Sequence, residues 1–215
     1  EIPSAVVYGS VVPSLDKTFA AAARALWGLS PVCVTPKSPL GFRLKVDRPA
    51  EVGADRVLNT LAALRRYGAP AVIVDFGTAT TFDCVSQRGD YLGGAILLGP
   101  KLAAKALKLY TAKLPEVAMA RTRRVIGRNT VECIQAGLYH GYFGMVEHVL
   151  AKTLAELRGG RGGKVHVIAT GGLARLFHRA LPQVTVFDPA LTLHGLRHAY
   201  DLLAGLRDSR PTTKV

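Results

Sequence analysis

AVIVDFGTATTFD, residues 71–83, sets a short apolar run against an aspartate, a Gly-Thr turn and a second run of alternating character. Val72, Ile73 and Val74 read as a buried strand, with Asp75 at its end, where side chains leave the sheet and meet solvent. Gly77 lets the backbone pass close to a ligand, and Thr78, Thr80 and Thr81 bring hydroxyls. The N–H groups of such a turn can face an anion. An acid beside hydroxyls and free amides suits a phosphate with its counter-cation. The same residues also make a plain β-hairpin with ordinary strand threonines, and both readings stand at this point.

Working outward, Gly68-Ala69-Pro70 marks a boundary. Before it, Glu51–Tyr67 has helical spacing, with Val57, Leu61 and Leu64 on one face. Gly53, Ala54, Asp55 and Arg56 then occupy its first turn, where N–H groups lack partners and anions are favoured. A carboxylate there, beside a cleft, can take a proton from a hydroxyl attacking phosphorus. Arg56 can hold a carboxylate or phosphoryl oxygen in its fork of donors. The plainer reading is an acid that stabilises the helix dipole and a surface ion pair. Nearer the start, Ala5–Val12, Val32–Thr35 and Arg43–Val46 read as strands. A helix to Trp27, capped by Ser14 or Asp16, puts Leu15, Phe19, Ala22, Ala23 and Leu26 on one face.

After Pro70 the pattern predicts three antiparallel strands at 71–76, 80–86 and 91–98, the last two joined by a turn at 87–90. Helices follow over 101–110 and from Asn129 or Thr130 to about Leu157. A strand over 164–169 runs into Thr170-Gly171-Gly172, with a last strand at 184–187 and a last helix at 191–206. His194, His198 and Asp201 have a spacing that could hold a metal, but no second ligand pair accompanies them, so a surface or interface pair is the preferred reading.

The 215 residues are 49% hydrophobic and 20% charged, which excludes a disordered chain and allows a substantial core. No apolar run reaches membrane-spanning length, and no signal peptide is visible. Cys33, Cys84 and Cys133 are odd in number and far apart, and read as reduced core thiols of a cytoplasmic protein. Much of the net charge of +13 gathers between Lys101 and Arg128, where Glu116 is the only acid. A solvated basic face, partly serving anionic ligands, is favoured over nucleic-acid binding because no aromatic platform beyond Tyr110 interrupts it. The Arg- and Gly-rich run 158–163 reads as a flexible connector.

Further motifs fall in order along the chain: Ser10-Val-Val-Pro13, Tyr91-Leu-Gly-Gly-Ala-Ile96, Thr111-Ala-Lys-Leu-Pro115, Ile126-Gly-Arg-Asn-Thr130 and Thr170-Gly-Gly-Leu-Ala174. With Glu51–Arg56 and Ala71–Asp83, their order and spacing resemble the type III pantothenate kinases, from Ser10 to about Leu196. The resemblance implies an α/β, ribonuclease-H-like duplicated fold of the acetate and sugar kinase/heat-shock/actin superfamily. The expected division is residues 1–69, a first half truncated at its N-terminus, and 70–215, the second half. It implies ATP-dependent phosphorylation of pantothenate to 4′-phosphopantothenate, with Asp55 as proton acceptor and Gly53, Ala54, Asp55 and Arg56 contacting pantothenate. It further implies that Asp75 binds a monovalent cation (K⁺ or NH₄⁺), that Thr78 meets ATP phosphate, and that Thr130 contacts pantothenate across a homodimer interface. Gly171 and Gly172 would shape the adenosine side. Magnesium accompanies ATP, and a membrane is not involved.

Two departures from the family pattern carry expectations of their own. The opening Asp-x-Gly-Asn-Thr loop of the family, which holds ATP phosphates and magnesium, is not among these 215 residues, so the chain alone is expected to be weak or inactive and the full gene product active. Val46 stands where the family has a tyrosine that touches pantothenate, which puts substrate identity in question. The alternative function is a degenerate, non-catalytic homologue acting as a regulatory or nucleic-acid-binding protein.

Overall fold

The structure, a computed structural model, describes residues 2–159 and 163–208. The run Ala71–Phe76 forms strand β3, as its apolar content dictates. It is preceded by β1 (Val7–Gly9), α1 (Pro13–Trp27), β2 (Val32–Val34) and α2 (Ala54–Arg66). It is followed by β4 (Ala79–Val85), β5 (Tyr91–Leu98), α3 (Pro100–Leu109), α4 (Thr130–Ala136) and α5 (Tyr142–Arg158). The last elements are β6 (His166–Thr170), α6 (Ala174–Phe177), β7 (Val186–Phe187) and α7 (Leu191–Asp208). A π-helical turn over Gly137–Gly141 joins α4 to α5, so the expected long helix is continuous but underwound there.

The main sheet has the order β5-β4-β3-β6-β7. The first three strands are antiparallel neighbours, while β6 and β7 run parallel to β3, as the alternation of strands and helices predicts. Alternation along β3 divides its side chains between two helical layers. Val72, Val74 and Phe76 face α5 and α6, packing with Tyr142, Val146, Leu150 and Phe177. Ala71 and Ile73 face the other way, against Ala62 and Ala63 of α2 and Leu191 of α7. Asp75 continues that second set, which aims it at α2. The opposite side of α2 packs Val57, Leu58 and Leu61 on Val34, Leu40, Tyr91 and Ala199, so this helix is buried along most of its length. Helix α7 thus returns from the end of the chain to cover α2, and Gly195 permits the close crossing: a Cβ there would strike the carbonyl of Leu58.

Several local expectations are corrected. Arg43–Val46 is not a strand; only Leu44 bridges to Tyr91, because Gly41 and Pro49 leave too short a run to build a ladder. The β1 strand is three residues rather than Ala5–Val12. Neither Ser14 nor Asp16 caps α1: Pro13 opens that helix with Val12 at the cap and no side-chain hydrogen bond. The apolar face of α1 buries Ala23 alone, leaving Leu15, Phe19 and Leu26 exposed. The cysteines are free, but only Cys84 is buried; Cys133 is exposed at the first turns of α4. In the Arg- and Gly-rich run, residues 160–162 lie outside the described residues.

Candidate active site

Gly53 is the extended N-cap of α2, and its carbonyl accepts the first helical bond, from Val57 at 3.1 Å. Asp55 therefore sits in the first turn and exposed, with its Oδ1 accepting from the Arg56 backbone N–H at 2.9 Å. One turn further on, at helical spacing from Asp55, Asn59 donates its Nδ2 to Asp75 Oδ2 at 2.9 Å. The end of β3 and the start of α2 thereby meet, close enough for the Asp55 charge to act on Asp75. Burial first, and the nearby Asp55 charge in addition, raise the Asp75 carboxyl above its ordinary value, while the Asn59 amide opposes the rise.

The other Asp75 oxygen faces glycine. A Cβ on Gly171 would collide with Oδ1 and with the Phe76 backbone, and one on Gly77 would lie 3.7 Å from the same oxygen. Gly171 also has φ +91°, a conformation that favours glycine on its own account. Gly172, by contrast, has open space where a Cβ would be. The turn after β3 leaves Gly77 and Thr78 exposed, and Gly99, the cap of α3, packs directly beneath their carbonyls.

Three of the hydroxyl and cationic groups predicted to face this turn are committed elsewhere. Thr80 is buried against the Tyr142 hydroxyl, on the α5 side of the sheet. Thr81 donates to Asp83 Oδ2 at 3.3 Å. Arg56 donates from Nε to Asp83 Oδ1 at 2.6 Å and from Nη2 to the Phe82 carbonyl at 3.4 Å, and its guanidinium lies 5.7 Å from the Tyr91 ring centre. The correction follows from strand period: Thr81 and Asp83 point to the α2 face with Asp75, and Thr80 points away. Thr78 alone of the three threonines remains at the tip.

Asp83 is the group that sequence reasoning missed. It is fully buried, with Arg56, Tyr91 and Thr81 on its oxygens. Burial pushes its carboxyl up to about 6, against the opposing pull of Arg56 and of the Tyr91 hydroxyl. An acid at an inward position of a strand, with an arginine on the preceding helix, was the available signal.

Thr130 lies in a different part of the molecule, at the start of α4. Asn129, not Thr130, is the cap: Asn129 Oδ1 accepts from the Glu132 backbone N–H at 2.9 Å, and Glu132 reaches back to the Arg128 N–H at 2.8 Å. The exposed Thr130 hydroxyl is free of capping and lines an apolar cavity of about 740 Å³ with Leu107, Tyr110, Cys133 and Ile134. No contact brings it to Asp55 within the described residues. Val46 packs near Gly93 and the Tyr91 core rather than standing free. His194 lies 3.8 Å from Asp188, and Arg197 takes Asp201, so the histidine pair forms no metal site; among the described residues no cluster of three His, Cys, Asp or Glu could hold a metal ion. Lys101, Lys105, Lys108, Lys113, Arg121, Arg123, Arg124 and Arg128 are all exposed, as a solvated basic face requires.

A sequence model described as type III pantothenate kinase matches residues 1–152. The chain is 45% identical over 196 residues to a type III pantothenate kinase of Moorella thermoacetica, covering 91% of this chain and 76% of that relative. A Myxococcus xanthus protein of the same description is 45% identical over 197 residues, covering 92% and 75%. One from Koribacter versatilis is 43% identical over 192 residues, covering 89% and 69%. Among solved structures, a Campylobacter jejuni protein assigned to the Baf family of transcriptional activators superimposes with a TM-score of 0.61 over 94% of this chain and 85% of that one, at 16% identity. That likeness concerns the fold.

Proposed function

The chain belongs to the type III pantothenate kinase family, within the actin-like superfamily of α/β folds, and we propose how its residues transfer phosphate from ATP to pantothenate on the route to coenzyme A. Asp55 accepts the proton of the pantothenate primary hydroxyl as that oxygen attacks the γ-phosphorus in line. The bond to the β–γ bridging oxygen breaks, and ADP and 4′-phosphopantothenate result. The observation that carries this reading is the meeting of α2 and β3 through Asn59, which brings Asp75 within reach of the Asp55 charge. An exposed first-turn carboxylate is open to substrate, and a helix N-terminus favours the anions that arrive with it.

Gly53, Ala54 and Arg56 contact pantothenate beside Asp55. Arg56 does so from a fixed position, since Asp83 already holds its Nε. Thr78, exposed on a turn of Gly and Thr, meets ATP phosphate. Gly171 and Gly172 shape the adenosine side. Residues 1–69 and 70–215 act as the two halves of the duplicated fold, with α7 of the second supporting the first.

Asp75 fits a monovalent cation, K⁺ or NH₄⁺: one oxygen is taken by Asn59, and the other, packed beside Gly171 and Gly77, has no hydrogen-bond donor among the described residues. When bound, that cation supplies positive charge beside the phosphates. Magnesium comes with ATP; the described residues make no cage of their own for it.

The enzyme works as a homodimer, with Thr130 reaching pantothenate in the neighbouring protomer. The apolar cavity at Thr130 and the open faces of Gly141 and Gly144 on the same helical run support this. The reaction is placed in the cytoplasm; among the described residues no helix is long and apolar enough to cross a membrane. Pantothenate-dependent release of ADP from ATP, measured on the full-length gene product, tests the reading. Turnover that requires pantothenate is the expected result. ATP hydrolysis indifferent to pantothenate, or none at all, overturns it.

A further inference from the structure

Two polar side chains outside the reacting groups form a line into Asp75. Asn59 is only 1% exposed, so both ends of its amide need partners inside the protein. Its Nδ2 donates to Asp75 Oδ2 at 2.9 Å, and its Oδ1 accepts from Thr192 Oγ1 at 2.7 Å. The chemistry fixes the direction of both bonds. An ionised carboxylate only accepts, so Asn59 must turn its NH₂ to Asp75; its carbonyl then faces Thr192, whose hydroxyl must donate. Rotated by half a turn, the amide would set its oxygen against the carboxylate.

The fold brings Thr192 to this place. It lies in the first turn of α7, which approaches α2 closely because Gly195 has no Cβ to strike the carbonyl of Leu58, the residue before Asn59. We propose that Thr192 is a positioning residue: its hydroxyl sets the amide of Asn59, and Asn59 in turn holds Asp75 with Oδ1 turned toward Gly171 and Gly77. Valine in place of Thr192 keeps the shape and removes the donor, leaving Asn59 Oδ1 buried and unpaired. The amide then has no reason to keep its NH₂ toward Asp75, and the carboxylate loses its fixed orientation. Serine keeps the donor.

The inference rests on the reading of Asp75 as the monovalent-cation ligand, and the test separates the two. K⁺ affinity of the full-length protein is measured from the K⁺ dependence of its thermal midpoint, and Tl⁺ binding from ²⁰⁵Tl NMR. The side-chain amide signals of Asn59 are followed in ¹H–¹⁵N spectra of the same samples. Thr192→Val is expected to weaken K⁺ binding about tenfold or more and to shift the Asn59 amide signals. Thr192→Ser should restore both, which a role in packing alone would not require. Asn59→Leu, which leaves a hydrophobic group beside a carboxylate, serves only where it folds; the threonine pair does not depend on it. If Asp75→Asn abolishes K⁺ binding while Thr192→Val leaves it unchanged, the positioning role fails and the cation reading stands. If K⁺ binds the wild type and Asp75→Asn equally, both fail.

Discussion

Arg56 donates to Asp83 across 2.6 Å, from the helix that carries Asp55 to the second strand of the main sheet. Only 16% of the arginine side chain and none of the aspartate is exposed. The guanidinium next to Asp55 is therefore an anchored group. Removing one partner of such a pair leaves a buried charge without compensation, which costs about 3–5 kcal/mol. Arg56→Met is expected to lower stability by that order and to raise the pantothenate KM, checked by urea unfolding and steady-state kinetics. Tyr91→Phe removes only one neutral donor to Asp83 and should cost about 1 kcal/mol.

The raised Asp83 carboxyl predicts a pH dependence of stability. Its folded value is about 6, above the ordinary carboxylate range, so the native state holds this proton more tightly than the unfolded chain does. The contribution of Asp83 is thus fully present below about pH 4 and is lost as pH rises through 6. Asp83→Asn lacks that titration. The stability of wild type minus that of Asp83→Asn should fall between pH 4 and 7, measured by urea unfolding at each pH. A difference that is flat or rises across this window contradicts the assignment.

Replacing Asp55 by Asn keeps the size and the hydrogen bond to the Arg56 N–H but removes the base. A kcat lower by about 10²–10⁴-fold is expected, with the KM for ATP little changed. Activity within a few-fold of wild type would assign proton transfer elsewhere.

The two glycines after β6 should respond differently. Gly171→Ala forces a methyl onto Asp75 and the Phe76 backbone at a positive φ, and should cost roughly 1–3 kcal/mol and weaken cation binding. Gly172→Ala meets open space and should change stability by less than about 0.5 kcal/mol. Thermal unfolding of the pair, with and without K⁺, checks both.

Asn129 and Thr130 separate capping from substrate contact. Asn129→Ala removes the cap of α4 and should cost about 1 kcal/mol, with the pantothenate KM unaltered. Thr130→Ala leaves the cap in place and should raise that KM with little loss of stability. Kinetics and calorimetry on the two variants distinguish these outcomes.

The two acids were legible in the sequence because the signal for each is local. A buried strand with an acid at its end, and an acid in the first turn of an amphipathic helix, each follow from periodicity within a dozen residues. The strand alternation even contained the aim of Asp75 toward α2, once Val72 and Val74 were assigned to the other layer. What joins the two acids was not legible: Asn59 looked like any residue of a helix, and its partners lie on β3 and α7, remote in sequence. Thr81 and Arg56 were read as ligand-facing because a side chain's partner across the sheet cannot be inferred from its neighbours along the chain. The Arg43–Val46 strand failed for another reason: beside Tyr91 of β5 the run between Gly41 and Pro49 is long enough for one bridge and no more.

The crossing of α7 over α2, allowed by Gly195, has a consequence for the order of assembly on the ribosome. The helix bearing Asp55 is made long before the α7 residues that cover one of its sides. During synthesis that side, with Leu58 and Leu61 on it, stays open to solvent or to a chaperone until α7 emerges. Competence for phosphoryl transfer is then acquired in one late docking event rather than built up as translation proceeds.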